Sequence, residues 1–250
     1  MAETRAQPVF ARESALAVHG LPFGPEPTAV HTIGGSATAR RKAGVVHATA
    51  EVDAMDVELV DGLLVCGAAY ALADVARRRE PVVAVAAIDA ALRAGLVERG
   101  AVLEALGRQS ARGRARAAWA IGFADERSES VGESWSRVRI HELGFPPPAL
   151  QQWVAGASGR RHRPDMRWDL PELSRPLLGE FDGAVKYGAL AQQRGETGAA
   201  ALADEKRRED DLRVANAVAR WVWRDVLEPA RLERVLLAHG LPRLRPARWR

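Results

Sequence analysis

Cysteine is nearly absent: Cys66 is the single one in 250 residues. A lone thiol excludes an internal disulfide. Without thiolate partners it also argues against a structural zinc site. Long apolar runs are missing. No stretch reaches the roughly 18 consecutive apolar residues of a membrane-spanning helix. The first twelve residues lack the apolar core of a secretory signal, so the expectation is a cytoplasmic protein with no membrane partner. Nucleotide-fold and hydrolase signatures are absent as well: there is no P-loop, no dinucleotide fingerprint and no GxSxG elbow. Lysine is scarce too. Only Lys42, Lys186 and Lys206 stand among 36 basic residues, which makes the position of each lysine informative.

What is present suits a folded protein. Apolar residues make up 47% of the chain, enough for a substantial core. The formal net charge is +4 and the sequence pI is about 9.8. That balance permits nucleic-acid binding without requiring it.

The chain changes character twice. PVFARESALAVHG (8–20) reads as a short helix ended by Gly20 and Pro22. AVHTI (29–33) and VVHAT (45–49) alternate like strands, and DVELVDGLLVC (56–66) reads as a hairpin turning at Asp61-Gly62. Residues 23–66 are therefore expected to form a small antiparallel sheet. Residues 68–124 are rich in alanine and leucine at helical spacing, with Pro81 suited to a first helical turn. From Ser128 the order reads α-β-β-β-α-β-α: SVGESWSRVRIHELG, ALQQWVAG, RPDMRWD, PLLGEFDG, ALADEKRREDDLRVAN, AVARWVWR and PARLERVLLAHG. Asp225 is expected to cap the last helix, and Trp221 and Trp223 to share one face of the preceding strand. The fold class is thus α+β or α/β, in two domains, 1–125 and 126–250.

Acidic residues in the second half stand where strands disfavour them. Pro164-Asp165 opens one strand, and Glu180-Phe181-Asp182-Gly183 follows fifteen residues later on the next. Glu133 lies on the upstream helix. Each has a plain structural reading. Ser130 to Glu133 fits a capping box, an edge strand would solvate Asp165 and Glu180, and Asp182-Gly183 is a common turn pair.

The element order together with this motif resembles the PD-(D/E)xK endonuclease superfamily, in particular proteins related to very-short-patch-repair endonucleases. The resemblance covers about 129–240 and implies a restriction-endonuclease-like αβββαβ domain. It further implies a DNA phosphodiesterase using Mg²⁺ or Mn²⁺, with Asp165, Glu180 and Asp182 as metal ligands and Glu133 in support. Such ions take hard oxygen ligands and activate water. The family usually carries lysine two residues after the glutamate. Here that position is Asp182, so the basic group falls to Lys186 or Lys206. Arg207, Arg208 and His162 are the candidate phosphate contacts.

Ser14-Ala15, Val18-His19-Gly20-Leu21-Pro22 and the following order are similar to AbiEi-like antitoxins of type IV toxin–antitoxin systems. That resemblance implies DNA and a toxin or other operon partner. Fuller members begin with a winged helix, which residues 1–9 cannot supply. The alternative to an enzyme is therefore a non-catalytic DNA-binding or toxin–antitoxin regulator on a degenerate nuclease fold.

Overall fold

The computed structural model describes residues 8–22, 24, 28–34, 40–49, 52–183 and 198–246. It has an α+β fold and divides into two compact units, Met1–Val131 and Gly132–Arg250.

The first unit opens with β1 (Val9–Phe10) and α1 (Arg12–Val18), followed by β2 (Val30–Gly34), β3 (Arg40–Lys42) and β4 (Val45–Thr49). A 3-10 turn at Ala54–Asp56 leads into β5 (Val57–Val60) and β6 (Leu63–Cys66). These strands form one six-stranded sheet in the order β3-β4-β2-β1-β6-β5. The β5–β6 hairpin turns at Asp61-Gly62, both at positive φ, as a tight two-residue turn of that sequence requires. The sheet departs from the antiparallel expectation. β1 runs parallel to β6, and β2 parallel to β4. Val9 and Phe10, read from sequence as helical, fill the gap between β2 and β6. Arg12 at φ +53 breaks the backbone before α1 can extend backward. Helices α2 (Ala68–Arg78), α3 (Pro81–Arg93), α4 (Arg99–Arg108) and α5 (Arg114–Phe123) complete the unit. Pro81 sits in the first turn of α3, where its missing N–H costs nothing. Small residues such as Ala71, Ala84, Ala87, Ala105 and Ala117 are buried, so these helices can pack closely.

The second unit is built on α6 (Val131–Glu142), β7 (Ala149–Leu150), the small hairpin β8 (Val154–Ala155) and β9 (Arg161–His162), and β10 (Met166–Trp168). It continues with β11 (Leu177–Asp182), α7 (Gly198–Arg213), β12 (Ala217–Val222), α8 (Trp223–Leu227) and α9 (Pro229–Ala238). The main sheet has the order β12-β11-β10-β7. β11 and β12 are parallel, while the pairs β10–β11 and β10–β7 are antiparallel. The α-β-β-β-α-β order is therefore present, with three changes of detail. ALQQWVAG is two strands in different sheets, because Gln151 at φ +53 turns the chain out of the first. AVARWVWR ends as a strand at Val222, because Asp225 Oδ2 accepts the Val222 backbone N–H at 3.0 Å and starts α8. Trp223 is thus helical and packs edge-on against Trp135 and Phe181, at 5.7 and 5.1 Å between ring centroids. Asp225 caps α8, and the last helix begins separately at Pro229.

Alternation along β11 sorts the two faces of the sheet. Gly179 and Phe181 face one way: Gly179 lies against the Trp168 and Trp221 rings, and Phe181 against Gly132 of α6. Trp221 is buried and donates its indole N–H to Ser136 on α6 at 2.8 Å. Leu178 faces the other way, into a cluster with Val154, Leu212 of α7 and Val218. Glu180 shares that second face.

Gly132 is where α6 meets the sheet. A Cβ there would fall on the Phe181 ring, which Trp223 holds from the side. Alanine normally favours a helix interior by up to about 1 kcal/mol over glycine. Here overpacking should outweigh that gain. Gly132→Ala is expected to destabilise the unit by about 1–3 kcal/mol, read as a lower thermal midpoint. An unchanged or raised midpoint would show that the ring swings aside freely.

Candidate functional site

Of the acidic residues singled out by sequence, Glu133 stands on α6, Asp165 just before β10, and Glu180 and Asp182 on β11. Asp165 lies in a bend just before β10, one residue short of the strand. Its Oδ2 accepts the backbone N–H of Phe181 at 2.8 Å, tying that bend to β11. Glu133 is 8% exposed, and its Oε2 accepts an N–H from the Gln151 amide at 3.0 Å. Gln151 is doubly placed, since its own backbone N–H donates to the Asp165 carbonyl at 3.1 Å. A non-glycine residue at φ +53 carries backbone strain, and here that residue joins the Asp165 backbone to the Glu133 side chain.

Burial pushes the Asp165 carboxyl up to about 7. The nearby Glu133 charge adds to the rise and Glu180 adds less, while the Phe181 hydrogen bond and Arg208 work against it. Glu133 and Glu180 thus both act on Asp165 through space.

Glu180 is 8% exposed and held by two guanidiniums. Arg208 of α7 donates to Oε1 at 2.7 Å, and Arg220 of β12 to Oε2 at 2.8 Å. The second pair follows from strand register, because Glu180 stands directly beside Arg220 in the parallel ladder. Arg220 also approaches Glu209 at 3.3 Å. This bears on the metal that the nuclease resemblance implies. Oxygen donors of the right hardness are present, but both oxygens of Glu180 already accept from arginine. Among the described residues no three His, Cys, Asp or Glu side chains converge as a ligand set. Asp182 follows on the same face of β11 by alternation, half-buried, and it is not drawn into such a group. The geometry does not fit the expected trio of Asp165, Glu180 and Asp182.

Lys186 lies outside the described residues. Lys206 is on α7 and exposed. The basic side chains at Glu180 are arginines. Arg208 had been expected to touch phosphate. Arg220 gave little sign of itself, sitting at one position of an alternating strand.

His162 occupies a different neighbourhood. Its Nε2 lies 2.7 Å from Asp211 Oδ2 on α7. The same carboxylate accepts the Ser158 backbone N–H at 2.6 Å and the Ser158 hydroxyl at 2.9 Å. These bonds hold the Asp211 carboxyl below its ordinary value, the His162 contact first among them. Asp211 thereby staples the β8–β9 hairpin to α7. Beside the staple opens a cavity of about 620 Å³, with Arg160, His162, Arg207 and Arg208 in its wall beside Asp210 and Asp211. The same hairpin region presents Trp153, 56% exposed, with Arg161 and Arg163 over its ring at 5.1 and 6.0 Å. Trp153 was not among the residues picked from sequence, though an aromatic within eleven residues of four basic side chains is a usable signal.

Among the described residues no helix is long and apolar enough to cross a membrane.

The chain is similar to uncharacterized protein Rv2248 of Mycobacterium tuberculosis (strain ATCC 25618 / H37Rv) and to uncharacterized protein MT2308 of Mycobacterium tuberculosis (strain CDC 1551 / Oshkosh). It is 30% identical to each over 177 residues, which is 66% of this chain and 64% of each relative. It therefore spans less than two thirds of the length of the curated relatives it matches. No family model and no solved structure matches.

Proposed function

We propose that this chain is a DNA-binding protein whose second unit uses a nuclease-like frame to hold the phosphate backbone without cutting it. The observation that carries this reading is the β8–β9 hairpin. It presents an exposed tryptophan beneath two arginines and shares a cavity whose wall holds Arg160, His162, Arg207 and Arg208 against Asp210 and Asp211, the latter bonded to His162. Guanidiniums match phosphate oxygens in pairs. An exposed indole offers a stacking platform for a base. The arginine clamp on Glu180 supports the non-hydrolytic side, since it occupies the oxygens that a catalytic ion would need. The likeness of residues 14–22 to AbiEi-like antitoxins agrees with a regulatory role, in which a toxin would be the operon partner.

Fluorescence anisotropy with a labelled duplex tests the binding. The double charge reversal Arg160→Glu with Arg207→Glu is expected to weaken affinity at least about tenfold and to flatten its salt dependence. Trp153→Ala should cost about 1–3 kcal/mol on a single-stranded probe. Affinity unchanged in both variants would sink the reading. Plasmid incubated with Mg²⁺ or Mn²⁺ is expected to stay intact. Nicking by the wild type that Asp165→Ala abolishes would instead make the protein a metal-dependent endonuclease.

A further inference from the structure

The first unit holds a separate cavity of about 700 Å³. Six arginines line it: Arg12, Arg77, Arg78, Arg79, Arg112 and Arg116, with His31 and Gly113 completing the wall. No carboxylate belongs to that lining. The arginines arrive from three places. Arg12 begins α1, Arg77 to Arg79 close α2, and Arg112 and Arg116 flank the start of α5.

Two acids lie beneath them. Asp74, 5% exposed, accepts from Arg12 Nε at 3.2 Å, Arg77 Nη1 at 3.1 Å and Arg78 Nε at 2.6 Å. Glu13, 3% exposed, pairs with Arg79 and faces His31 Nε2 at 3.7 Å. Arg116 bonds only to the Arg77 carbonyl, and the Arg112 guanidinium has no acidic partner among the described residues. Six guanidiniums thus share two carboxylates.

The floor is rigidly built. Arg77 is 5% exposed and also bonds to the Gln109 amide oxygen at 3.1 Å and the Arg112 carbonyl at 3.0 Å. Gly113, at φ +79, sits so close that a Cβ would strike the Arg77 carbonyl. Arg12 Nη1 lies 3.3 Å from His31 Nδ1. Burial lowers the His31 pKa, so the imidazole is neutral near pH 7 and its Nδ1 can accept that bond.

A structural role for the arginines at the end of α2 is real, since cations favour a helix C-terminus. It does not account for Arg112 and Arg116, which add unmatched charge to the same concavity. A cleft walled by one sign of charge focuses its field on small counter-ions. The volume is that of a small-ligand site. Guanidinium forks match phosphate oxygens, and six of them face this cavity.

We propose that this cavity binds an oligophosphate chain, either free or as the polyphosphate arm of a nucleotide. Isothermal titration of the full chain at moderate salt tests it, with tripolyphosphate, ATP and sulfate as titrants. One tripolyphosphate should bind per chain, at least about tenfold more tightly than sulfate. The double substitution Arg112→Glu with Arg116→Glu should weaken it about a hundredfold, roughly tenfold per guanidinium. Circular dichroism melting would confirm that this variant is folded. The Arg160→Glu, Arg207→Glu protein, altered in the other unit, should bind tripolyphosphate like wild type. Its loss of DNA binding would leave this proposal standing, so the two sites fail independently. ATP binding more tightly than tripolyphosphate would assign the site to a nucleotide, and the reverse order to the free chain. Equal binding by the folded double variant, or by sulfate, would overturn the proposal. So would displacement of tripolyphosphate by duplex DNA, which would give these arginines to nucleic acid.

Discussion

Glu180→Gln is expected to lower the thermal midpoint of the second unit by about 5–10 °C in metal-free buffer at neutral pH. The carboxylate accepts one charged hydrogen bond on each oxygen, from Arg208 and from Arg220. Those guanidiniums come from α7 and β12, so Glu180 links the helix to two strands. Removing the charge of one partner in a mostly buried pair leaves Arg208 and Arg220 facing an uncharged amide, which costs up to about 3–5 kcal/mol in a dry interior. The side chains of Arg208 and Arg220 are 32% and 28% exposed. Water therefore screens part of the loss, and about 2–3 kcal/mol is the better figure. The sign separates two roles. A carboxylate poised for an absent ion repels its acidic neighbours, and neutralising it raises stability. A carboxylate locked to arginine does the opposite. Differential scanning calorimetry on wild type and Glu180→Gln decides, and a raised midpoint would return Glu180 to the metal-ligand reading.

Asp165→Asn should act in the reverse direction, and only at high pH. Burial and the Glu133 charge raise this carboxyl from 3.8 to about 7 in the folded protein. The folded chain thus holds the proton more tightly than the unfolded chain. The stability this supplies is present below pH 3.8 and is lost as pH climbs through about 7. Above that, an ionised Asp165 burdens the fold. Asparagine keeps an acceptor for the Phe181 N–H and carries no charge. At pH 8 the substitution should add on the order of 2–4 kcal/mol, a rise of about 5–10 °C for a unit of this size. Near pH 4 the gain should vanish. Midpoints measured across that range would refute the idea if the difference between wild type and variant stayed flat.

Local chemistry explains which parts could be read in advance. Asp61-Gly62, Pro81 and the alanine-rich helices carry their signals within a few residues, and the structure has them where those signals fall. Val9 and Phe10 look helical because they precede a helix, but their conformation is set by strands that are distant in sequence. The same holds at the site. Fifteen residues of spacing bring Asp165 and Glu180 to adjoining elements, and acidity within strand-like runs marks both. The clamp on Glu180 depends on register between β11 and β12 and on the turn of α7 that faces them. No short window contains that information. Gln151 is similar, since nothing in Leu-Gln-Gln-Trp announces a left-handed backbone.

The place of β1 has a consequence for the order of assembly. Its two residues seal the middle of a six-stranded sheet, with Phe10 set against Val65. The β5–β6 hairpin and the β3–β4 pair can form from neighbouring residues soon after they leave the ribosome. The central seam cannot, because one side must wait for the other to be synthesised and then close a long loop. Such non-local pairings slow folding. Closure of β1 onto β6 is therefore expected late in the folding of the first unit, and until then the β1 side of β6 is an open edge.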